Sequence, residues 1–439
     1  MPKILLKIFI GILLMLPFKG SAQEILTLEE AIKIALESNY SIRIARNDEQ
    51  IAKNNNTIGN AGFLPSVDAD AQYNASITDT RQESGTLGNR EFNGVEATNF
   101  GGGVGATWLV FDGFRMFVAK DRLEELESIG QLNTLISVEQ TIGNVSAAYY
   151  DVVRQKQLLE AQRNAFRVSA ERLRIASAKA SVGAGSGLER LQSQVDFNAD
   201  SSEVLRQKLN IESAKQFLKQ QLGQPEMADF DVIDSIPAPG VGSESELRSL
   251  AGQQNLLLKL SEQSKRLSEL SIKEANSLWW PQIALTGGYS FNQQSNEASI
   301  FQFNRSSGWN YGIRASVNLF DGFNTRRQIE NAKVEAATRQ LQIEEIQAQI
   351  STQMQNAYRN FSASRDILAL EQQNLDIARR TANIALERFK IGSSTPLELR
   401  EAQSTFVLAQ ARLLTAQYQI KIAELDLLRL SGQIIRAGF

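Results

Sequence analysis

The chain has 439 residues, a formal net charge of -3, and neither cysteine nor histidine. Those absences exclude thiol nucleophiles, disulfides, imidazole general bases and nearly every transition-metal site, while a carboxylate-pair hydrolase remains open with no obvious pocket in the repeats to house it. The charge balance argues against nucleic acid as a partner and gives no sign of binding to an acidic membrane surface.

At the N-terminus Lys3 and Lys7 precede an apolar core, Ile8 to Leu16, and then the small residues Gly20-Ser21-Ala22. This is the pattern of a secretory signal over residues 1–22, cleaved after Ala22. Its apolar stretch is too short to remain as a membrane span, and no cysteine follows to carry a lipid. No later run reaches ~20 apolar residues, so any part of the chain that enters a membrane must do so as a closed β-barrel.

Thr27 precedes Leu28-Glu29-Glu30-Ala31, and with Glu30 it forms a capping box opening a helical pattern that runs to about Gly62. The pattern recurs from Glu244, where Leu247, Ala251 and Asn255 lie 216 residues after Ala31, Ala35 and Asn39. At Leu64-Pro65 and at Trp280-Pro281 the period changes from 3.6 to 2. Val67, Ala69, Ala71 and Tyr73 alternate with Asp68, Asp70, Gln72 and Asn74, and Ile283, Leu285, Tyr289 and Phe291 alternate with mostly small or polar residues. The expectation is of strands of ~9–11 residues with one apolar face, the length a tilted membrane strand needs. Polar loops are expected over about 75–98 and 293–308. Returning strands follow, with Val104, Ala106, Trp108 and Val110 on one face of the first and Ile313, Ala315, Val317 and Leu319 on one face of the second. All four Trp fall in these hairpin regions, as in the girdles of a membrane barrel. The core of a soluble β-layer also collects aromatics.

Each returning strand closes on one five-residue pattern: Val110-Phe111-Asp112-Gly113-Phe114 and, 209 residues later, Leu319-Phe320-Asp321-Gly322-Phe323. It suits a strand-to-helix corner, because Asp caps the first helical N–H groups and Gly tolerates a sharp turn. From residue 113 to about 180, and from 322 to about 390, the chain is free of Pro and poor in Gly. Some ~68 helical residues make a rod of roughly 100 Å, which must pack lengthwise in coiled-coil-like layers. Turns at Val182-Gly183 and Ile391-Gly392 end the rods, and return helices follow over 188–222 and 397–430.

The copies match without a gap from Phe111/Phe320 to Gly223/Gly432, so the chain is a tandem duplication. Repeat 1 covers 23–223, with its hairpin at about 65–111 and its long helix, turn and return helix at about 113–223. Repeat 2 covers 244–432, with the same parts at about 281–320 and 322–432. The Pro- and Gly-rich segment 224–243 links them, and 433–439 is a short tail. The economical packing stacks short helices end to end beside the long ones. Two hairpins supply four membrane-type strands, which cannot close a barrel, and open edges are forbidden in lipid. Self-association is therefore required: two chains would give eight strands, and three would give twelve with room for a lumen.

In order and spacing these elements resemble the TolC family of bacterial outer-membrane efflux factors, over essentially the whole chain after residue 22. The resemblance is carried by the Thr27-Leu28-Glu29-Glu30-Ala31 opening, the two strand starts at Pro65 and Pro281, the two Phe-Asp-Gly-Phe corners and the Gly183 and Gly392 turns. It implies a mainly α fold with a β-barrel section, a homotrimer whose twelve-stranded outer-membrane barrel continues into a long periplasmic α-helical barrel. It implies a passive exit duct of a tripartite efflux or type I secretion system, with no cofactor. The implied partners are outer-membrane lipid, a periplasmic adaptor (membrane fusion) protein meeting the tips at Val182, Gly183, Ile391 and Gly392, and an inner-membrane pump of RND or ABC type. The resemblance also places an acidic ring at the tunnel entrance, at Glu189, Glu398 and Glu401. Gln192 stands where Glu401 has its repeat partner, and Glu replaces the family's usual Asp. The residues alone read equally as solvated acids favoured by a helix dipole. The alternative function is a structural periplasmic coiled-coil adaptor or scaffold, which shares the rods but gives no reason for amphipathic hairpins.

Overall fold

The structure, a computed structural model, describes residues 24–83, 88–233, 235–297, 299 and 301–436. The expected signal sequence lies outside them, as does the terminal Phe439. In chain order the elements are β1 (Glu24–Leu26), α1 (Leu28–Ser38), α2 (Tyr40–Asn55), β2 (Ser66–Gln82), β3 (Arg90–Phe111), α3 (Arg115–Ser181), α4 (Gly187–Leu222) and β4 (Phe230–Val232). There follow α5 (Glu244–Gln254), α6 (Leu256–Ser277), β5 (Gln282–Asn296), β6 (Phe303–Ser316), α7 (Asn324–Lys390) and α8 (Pro396–Leu430). They fall into two compact units. One holds the described residues up to Ile44, Ile136–Asn255 and those from Gln349 onward; the other holds Ala45–Leu135 and Leu256–Ala348.

The first unit is mainly helical and holds the greater part of the two long helices. α3 and α7 are each continuous over 67 residues, about 100 Å at 1.5 Å per residue. The capping box at Thr27 is formed: Glu30 N–H donates to Thr27 Oγ1 at 3.2 Å and Thr27 N–H to Glu30 Oε2 at 2.9 Å. The helical pattern expected to run unbroken to about Gly62 is instead two helices, α1 and α2, the second ending at Asn55. Asn39 causes the break. Its backbone is extended, its Oδ1 accepts from Ser41 N–H at 2.9 Å, and its Nδ2 donates to the Gln221 carbonyl at 2.7 Å. Asparagine offers the backbone this alternative to the helical ladder. Asn255 repeats the device between α5 and α6, donating to the Leu430 carbonyl at 3.0 Å. At both places a return helix ends in a left-handed glycine pressed on the break. A Cβ on Gly223 would lie 2.4 Å from the Ser38 carbonyl oxygen, and one on Gly432 2.7 Å from that of Gln254. The end-to-end stacking of short helices is thus built on four backbone-level contacts.

The segment 224–243, read as a linker, also contains β4, which pairs parallel with β1 from Glu24↔Phe230 to Leu26↔Val232. Tyr149 ties the pair to α3: its hydroxyl donates to the Leu26 carbonyl at 2.9 Å and accepts from Ile233 N–H at 3.3 Å. Around it Leu26, Ala31, Val145, Val152, Leu218, Leu222 and Phe230 form the main apolar core. The tail is also packed, with Ile434 buried against Ile142 and Leu425.

The second unit carries one antiparallel sheet of order β2-β3-β5-β6, in which the hairpins of the two repeats join through β3 and β5. The strands are longer than expected, 17, 22, 15 and 14 residues. Most of 75–98 and 293–308 is ladder, not loop, because polar side chains do not end backbone pairing. The expectation for Val317 and Leu319 is corrected in the other direction: β6 stops at Ser316. Its one partner, β5, starts at Gln282 after Pro281, which has no N–H to give. β3 outlasts β2 at the same end because it has β5 on its other side, as far as Phe111↔Ile283.

Gly223→Ala forces an L side chain into left-handed backbone, at about 1–2 kcal/mol, and also drives a carbon onto the Ser38 carbonyl. Gly183→Ala incurs only the backbone term, since nothing lies within 4 Å of its Cβ position. Thermal melting followed by helical circular dichroism is expected to fall clearly further for Gly223→Ala.

Candidate functional site: sheet, corners and helical tips

Over Val67 to Asp70 and the residues beside them, each row of the sheet is of one chemical kind. Ala69, Val104, Tyr289 and Trp309 lie side by side across the four strands, as do Val67, Ala106, Gly287 and Tyr311. The intervening rows face the other way: Asp70, Gly103, Ser290 and Gly308, then Asp68, Gly105, Gly288 and Asn310. One face is therefore apolar and aromatic, with Tyr289 and Trp309 rings 5.3 Å apart, and the other is small and polar. Trp309 and Tyr311 on the edge strand β6 are 79% and 92% exposed, values that no aqueous β-layer core has. On the polar face a Cβ at Gly103 would lie 2.9 Å from the Tyr289 carbonyl oxygen, and one at Gly288 2.8 Å from that of Val104. Among the described residues no helix is long and apolar enough to cross a membrane.

At the corners the two carboxylates cap the long helices. Asp112 Oδ1 accepts from Met116 N–H at 3.1 Å, and Asp321 Oδ2 accepts from the Thr325 hydroxyl at 2.6 Å and from Thr325 N–H at 2.7 Å. Those bonds, the hydroxyl's first, hold the Asp321 carboxyl below its ordinary range. Two successive residues are left-handed at each corner, Gly113 and Phe114 (φ 75° and 69°) and Gly322 and Phe323 (67° and 65°). The aromatic ring of each is fixed by its own neighbour, Phe111 on Phe114 at 5.2 Å and Phe320 on Phe323 at 5.4 Å, edge to face. The surroundings differ. A Cβ on Gly113 would meet the Ser277 carbonyl oxygen at 2.4 Å and Trp280 Cβ at 2.7 Å, whereas one on Gly322 meets only Asn324 Nδ2 at 3.9 Å.

The tip turns are near-copies. Gly183 and Gly392 are left-handed, and their N–H groups donate to the carbonyls of Ala180 (3.2 Å) and Phe389 (3.1 Å). Ala184 and Ser393 donate back to Lys179 and Arg388, each at 2.9 Å, which completes a Schellman-type stop. Val182 and Ile391 project from the turns, 77% and 79% exposed. The two turns are neighbours: Lys179 Nζ lies 5.4 Å from the Phe389 ring centre, and Arg172 Nη2 donates to the Pro396 carbonyl at 3.4 Å. Glu189 sits half-buried in the first turn of α4 and Glu401 is exposed on α8. Glu398 belongs to the cap of α8. Its N–H donates to Thr395 Oγ1 at 3.2 Å and its carboxylate accepts from the Ser394 hydroxyl at 2.7 Å. The Ser394 bond, then the Thr395 backbone, then Arg388 hold that carboxyl below its ordinary value.

Near the tips lies a charge network that sequence reading missed. Arg172 on α3, 3% exposed, pairs with Asp196 on α4 at 3.1 Å. This is an ion pair without hydrogen-bond alignment, since Arg172 Nη1 and Nε make no hydrogen bond. Arg400 on α8 donates to both oxygens of Asp200 at 3.0 and 2.8 Å and lies 3.6 Å from Asp196. Burial opposes the Arg400 charge, but the Asp200 hydrogen bonds and the two carboxylates outweigh it and raise its pKa. The signal was available. Each member stands where the other repeat has a neutral residue: Thr381 for Arg172, Thr405 for Asp196, Ala409 for Asp200 and Leu191 for Arg400.

Arg400→Ala leaves Asp200 largely desolvated and unpaired, an expected loss of about 1–3 kcal/mol in chemical denaturation. Arg174→Ala, which breaks an exposed, solvent-screened pair with Glu171, is expected to change stability far less than Arg400→Ala. At Glu398 the sign follows from a depressed folded pKa: the cap's contribution is present above the ordinary carboxylate range and is lost as pH falls through the folded value. Ser394→Ala should move the Glu398 carbon-13 titration midpoint upward, toward the ordinary value.

The sequence pattern of the outer membrane efflux protein family matches residues 31–224 and again 247–433, once for each repeat. The chain is 22% identical over 416 residues to the outer membrane efflux protein BepC of Brucella suis biovar 1, covering 93% of this chain and 86% of that protein. Its fold is that of the CmeC outer membrane channel of Campylobacter jejuni (TM-score 0.73, 17% identity, 92% of this chain and 85% of that one). It is equally that of the Neisseria gonorrhoeae MtrE outer membrane channel in its open state (TM-score 0.70, 18% identity, 93% and 89%). With an amphipathic sheet in one unit, paired coils in the other and both repeats matched, the chain belongs to the outer membrane efflux protein family, as an outer-membrane exit duct reaching into the periplasm.

Proposed function

We propose that the duct works as a homotrimer, its twelve strands closing one barrel and its six coil pairs a periplasmic tunnel. The observation that carries this is the four-stranded sheet with one apolar and one polar face and two unpaired edges. Such a sheet satisfies its backbone in lipid only when other copies close it. The apolar rows of Tyr289, Trp309 and Tyr311 face lipid, and the Gly-, Asn- and Asp-bearing rows line the pore. Periplasmic coils alone would serve a scaffold equally well; the sheet would not.

At the other end the exposed Val182 and Ile391, set on rigid Gly183 and Gly392 stops, form small apolar knobs suited to the helical hairpins of a periplasmic adaptor. The adaptor couples the duct to an inner-membrane pump of RND or ABC type. The protein does no chemistry of its own; substrate movement draws on the pump. Glu189, Glu398 and Glu401, repeated by three-fold symmetry, ring the tunnel entrance with carboxylates that favour cations.

Detergent-purified protein in a planar bilayer, with mass measured on the same sample, tests the proposal. The expected result is a trimer with cation-selective single-channel currents. Replacing Glu189, Glu398 and Glu401 together by Ala should lower the cation preference several-fold, roughly the effect of removing a charged ring from a pore. A water-soluble monomer without channel activity would overturn the reading.

A further inference from the structure

One cavity of the first unit shares no residue with the sheet, the corners or the tip turns. It measures about 810 Å³, and its lining includes Leu28, Tyr150, Ile233, Pro237, Lys421 and Glu424, all within that one unit. Two hydrogen bonds hold the segment between the repeats along its rim. Ile233 N–H donates to the Tyr149 hydroxyl at 3.3 Å, and Gly240 N–H donates to Glu424 Oε1 at 2.9 Å.

α8 brings a buried ion pair to this cavity. Lys421 Nζ lies 2.7 Å from Glu424 Oε2, and the two side chains are only 8% and 7% exposed. Removing such a pair from water is costly, and the cost is offset only when the remaining protons and lone pairs are bonded as well. Here they are not. Glu424 Oε2 sits off the hydrogen-bond line of the ammonium and makes no hydrogen bond. Tyr150, 3% exposed, lies beside the pair, with Lys421 Nζ 5.6 Å from its ring centre. Among the described residues its hydroxyl makes no hydrogen bond, although it borders the cavity. Burial first, and then the Glu424 charge, push that phenol up to about 12, so it stays a neutral hydroxyl that both donates and accepts.

The duplication does not account for this group of residues. At the equivalent places in repeat 1 the signs are reversed, with Glu212 for Lys421 and Lys215 for Glu424, and Lys215 pairs instead with Asp229 at 2.9 Å. Arg359, which is exposed, stands in repeat 2 where repeat 1 has Tyr150. The joining segment itself occurs once. The arrangement is therefore made once per chain.

The charge pattern decides what such a cavity takes. Lys421 and Glu424 neutralise each other, and at the rim Arg436 is turned to Gln254 Oε1 at 3.2 Å, so no bare charge awaits an ion. What remains unbonded is the further N–H groups of Lys421, a lone pair of Glu424 and the Tyr150 hydroxyl. Ligand hydroxyls match all three, because each can accept from an ammonium and donate to a carboxylate at once. Leu28, Ile233 and Pro237 add apolar wall, and the volume suits a drug-sized molecule. We propose that the cavity framed by Tyr150, Lys421, Glu424, Ile233 and Pro237 binds a neutral saccharide of one or two rings, one molecule per chain.

The test uses the full chain, purified in an amine-oxide detergent so that no sugar headgroup is present. Saturation-transfer NMR and calorimetry are run with cellobiose, with N,N′-diacetylchitobiose and, as a zwitterion rich in hydrogen-bonding groups, with glutamine. The expected result is one disaccharide site per chain and no binding of glutamine. Tyr150→Phe removes only a hydroxyl that bonds nothing in the protein, so the fold is kept. Its Kd for the disaccharide should rise about twofold to tenfold, the range for one neutral hydrogen bond. Glu424→Gln should weaken binding at least as much, and Tyr73→Phe in the sheet should leave it unchanged. If neither disaccharide binds, or if Tyr150→Phe and Glu424→Gln bind as the parent does, the proposal fails. Glutamine binding in preference to both sugars would overturn the saccharide class. None of these outcomes depends on whether the chain conducts.

Discussion

An unpaired β-strand edge cannot sit in lipid, because each exposed N–H and carbonyl there costs several kcal/mol with no water to satisfy it. That constraint organises the chain. It makes the sheet span both repeats, since a lone two-stranded hairpin would carry proportionally twice the edge. It gives the apolar rows their continuity across β2, β3, β5 and β6, because every strand must present the same side to the bilayer. It also makes the isolated chain incomplete, with Tyr311 and Ile313 almost bare on an edge that no soluble protein would tolerate.

Against that shared requirement the duplication supplies economy, and its failures of symmetry supply individuality. Where both repeats do the same mechanical task the solution is repeated at atomic level. Asn39 and Asn255 break and cap the short helices, Gly223 and Gly432 press on the breaks, and Gly183 and Gly392 stop the rods. Where the surroundings differ, the residues diverge. Phe114 packs edge to face on Trp280 within the chain, while Phe323 has only Phe320. The Arg172, Asp196, Asp200 and Arg400 network occupies one coil-to-coil seam, and its repeat equivalents are neutral.

Much of this was legible in the sequence because it rests on short, strong signals. The period change after Pro65 and Pro281, the Pro-free rods and the paired Phe-Asp-Gly-Phe corners each follow from local physics. The strand lengths were not legible, since residues such as Ser76, Thr78 and Glu96 look like loop yet extend the ladder past the apolar band. β1 and β4, three residues each, are too short to show a period, and they exist only because Tyr149 on a distant helix holds both. The break at Asn39 was hidden for a related reason: apolar spacing runs through it, and the partner that fixes it is the Gln221 carbonyl, 182 residues away. At the tips, the sequence placed Glu398 in a helix's first turn but could not show that Ser394 and Thr395 engage it in a cap.

The asymmetry between seams bears on how a closed ring of this chain can move. The charged seam within the chain has an uncharged repeat equivalent, where Leu191 replaces Arg400 and Thr381 replaces Arg172. The charged seam is imperfectly filled. Beside it lies a cavity of about 360 Å³ lined by Leu158, Gln162, Asp200, Arg400 and Gln403, and into this neighbourhood Gln162 Oε1 and Gln403 Nε2 bring buried polar atoms without partners. Polar atoms of that kind are satisfied by water when there is room for it, and ion pairs can exchange partners with water at modest cost. An apolar seam has no such exchange, and opening it loses about 25 cal/mol for each Å² exposed. The two kinds of packing therefore differ in what they resist: an apolar contact opens only by exposing its area to water, whereas the charged, incompletely filled one beside Arg400 can exchange its polar partners with water.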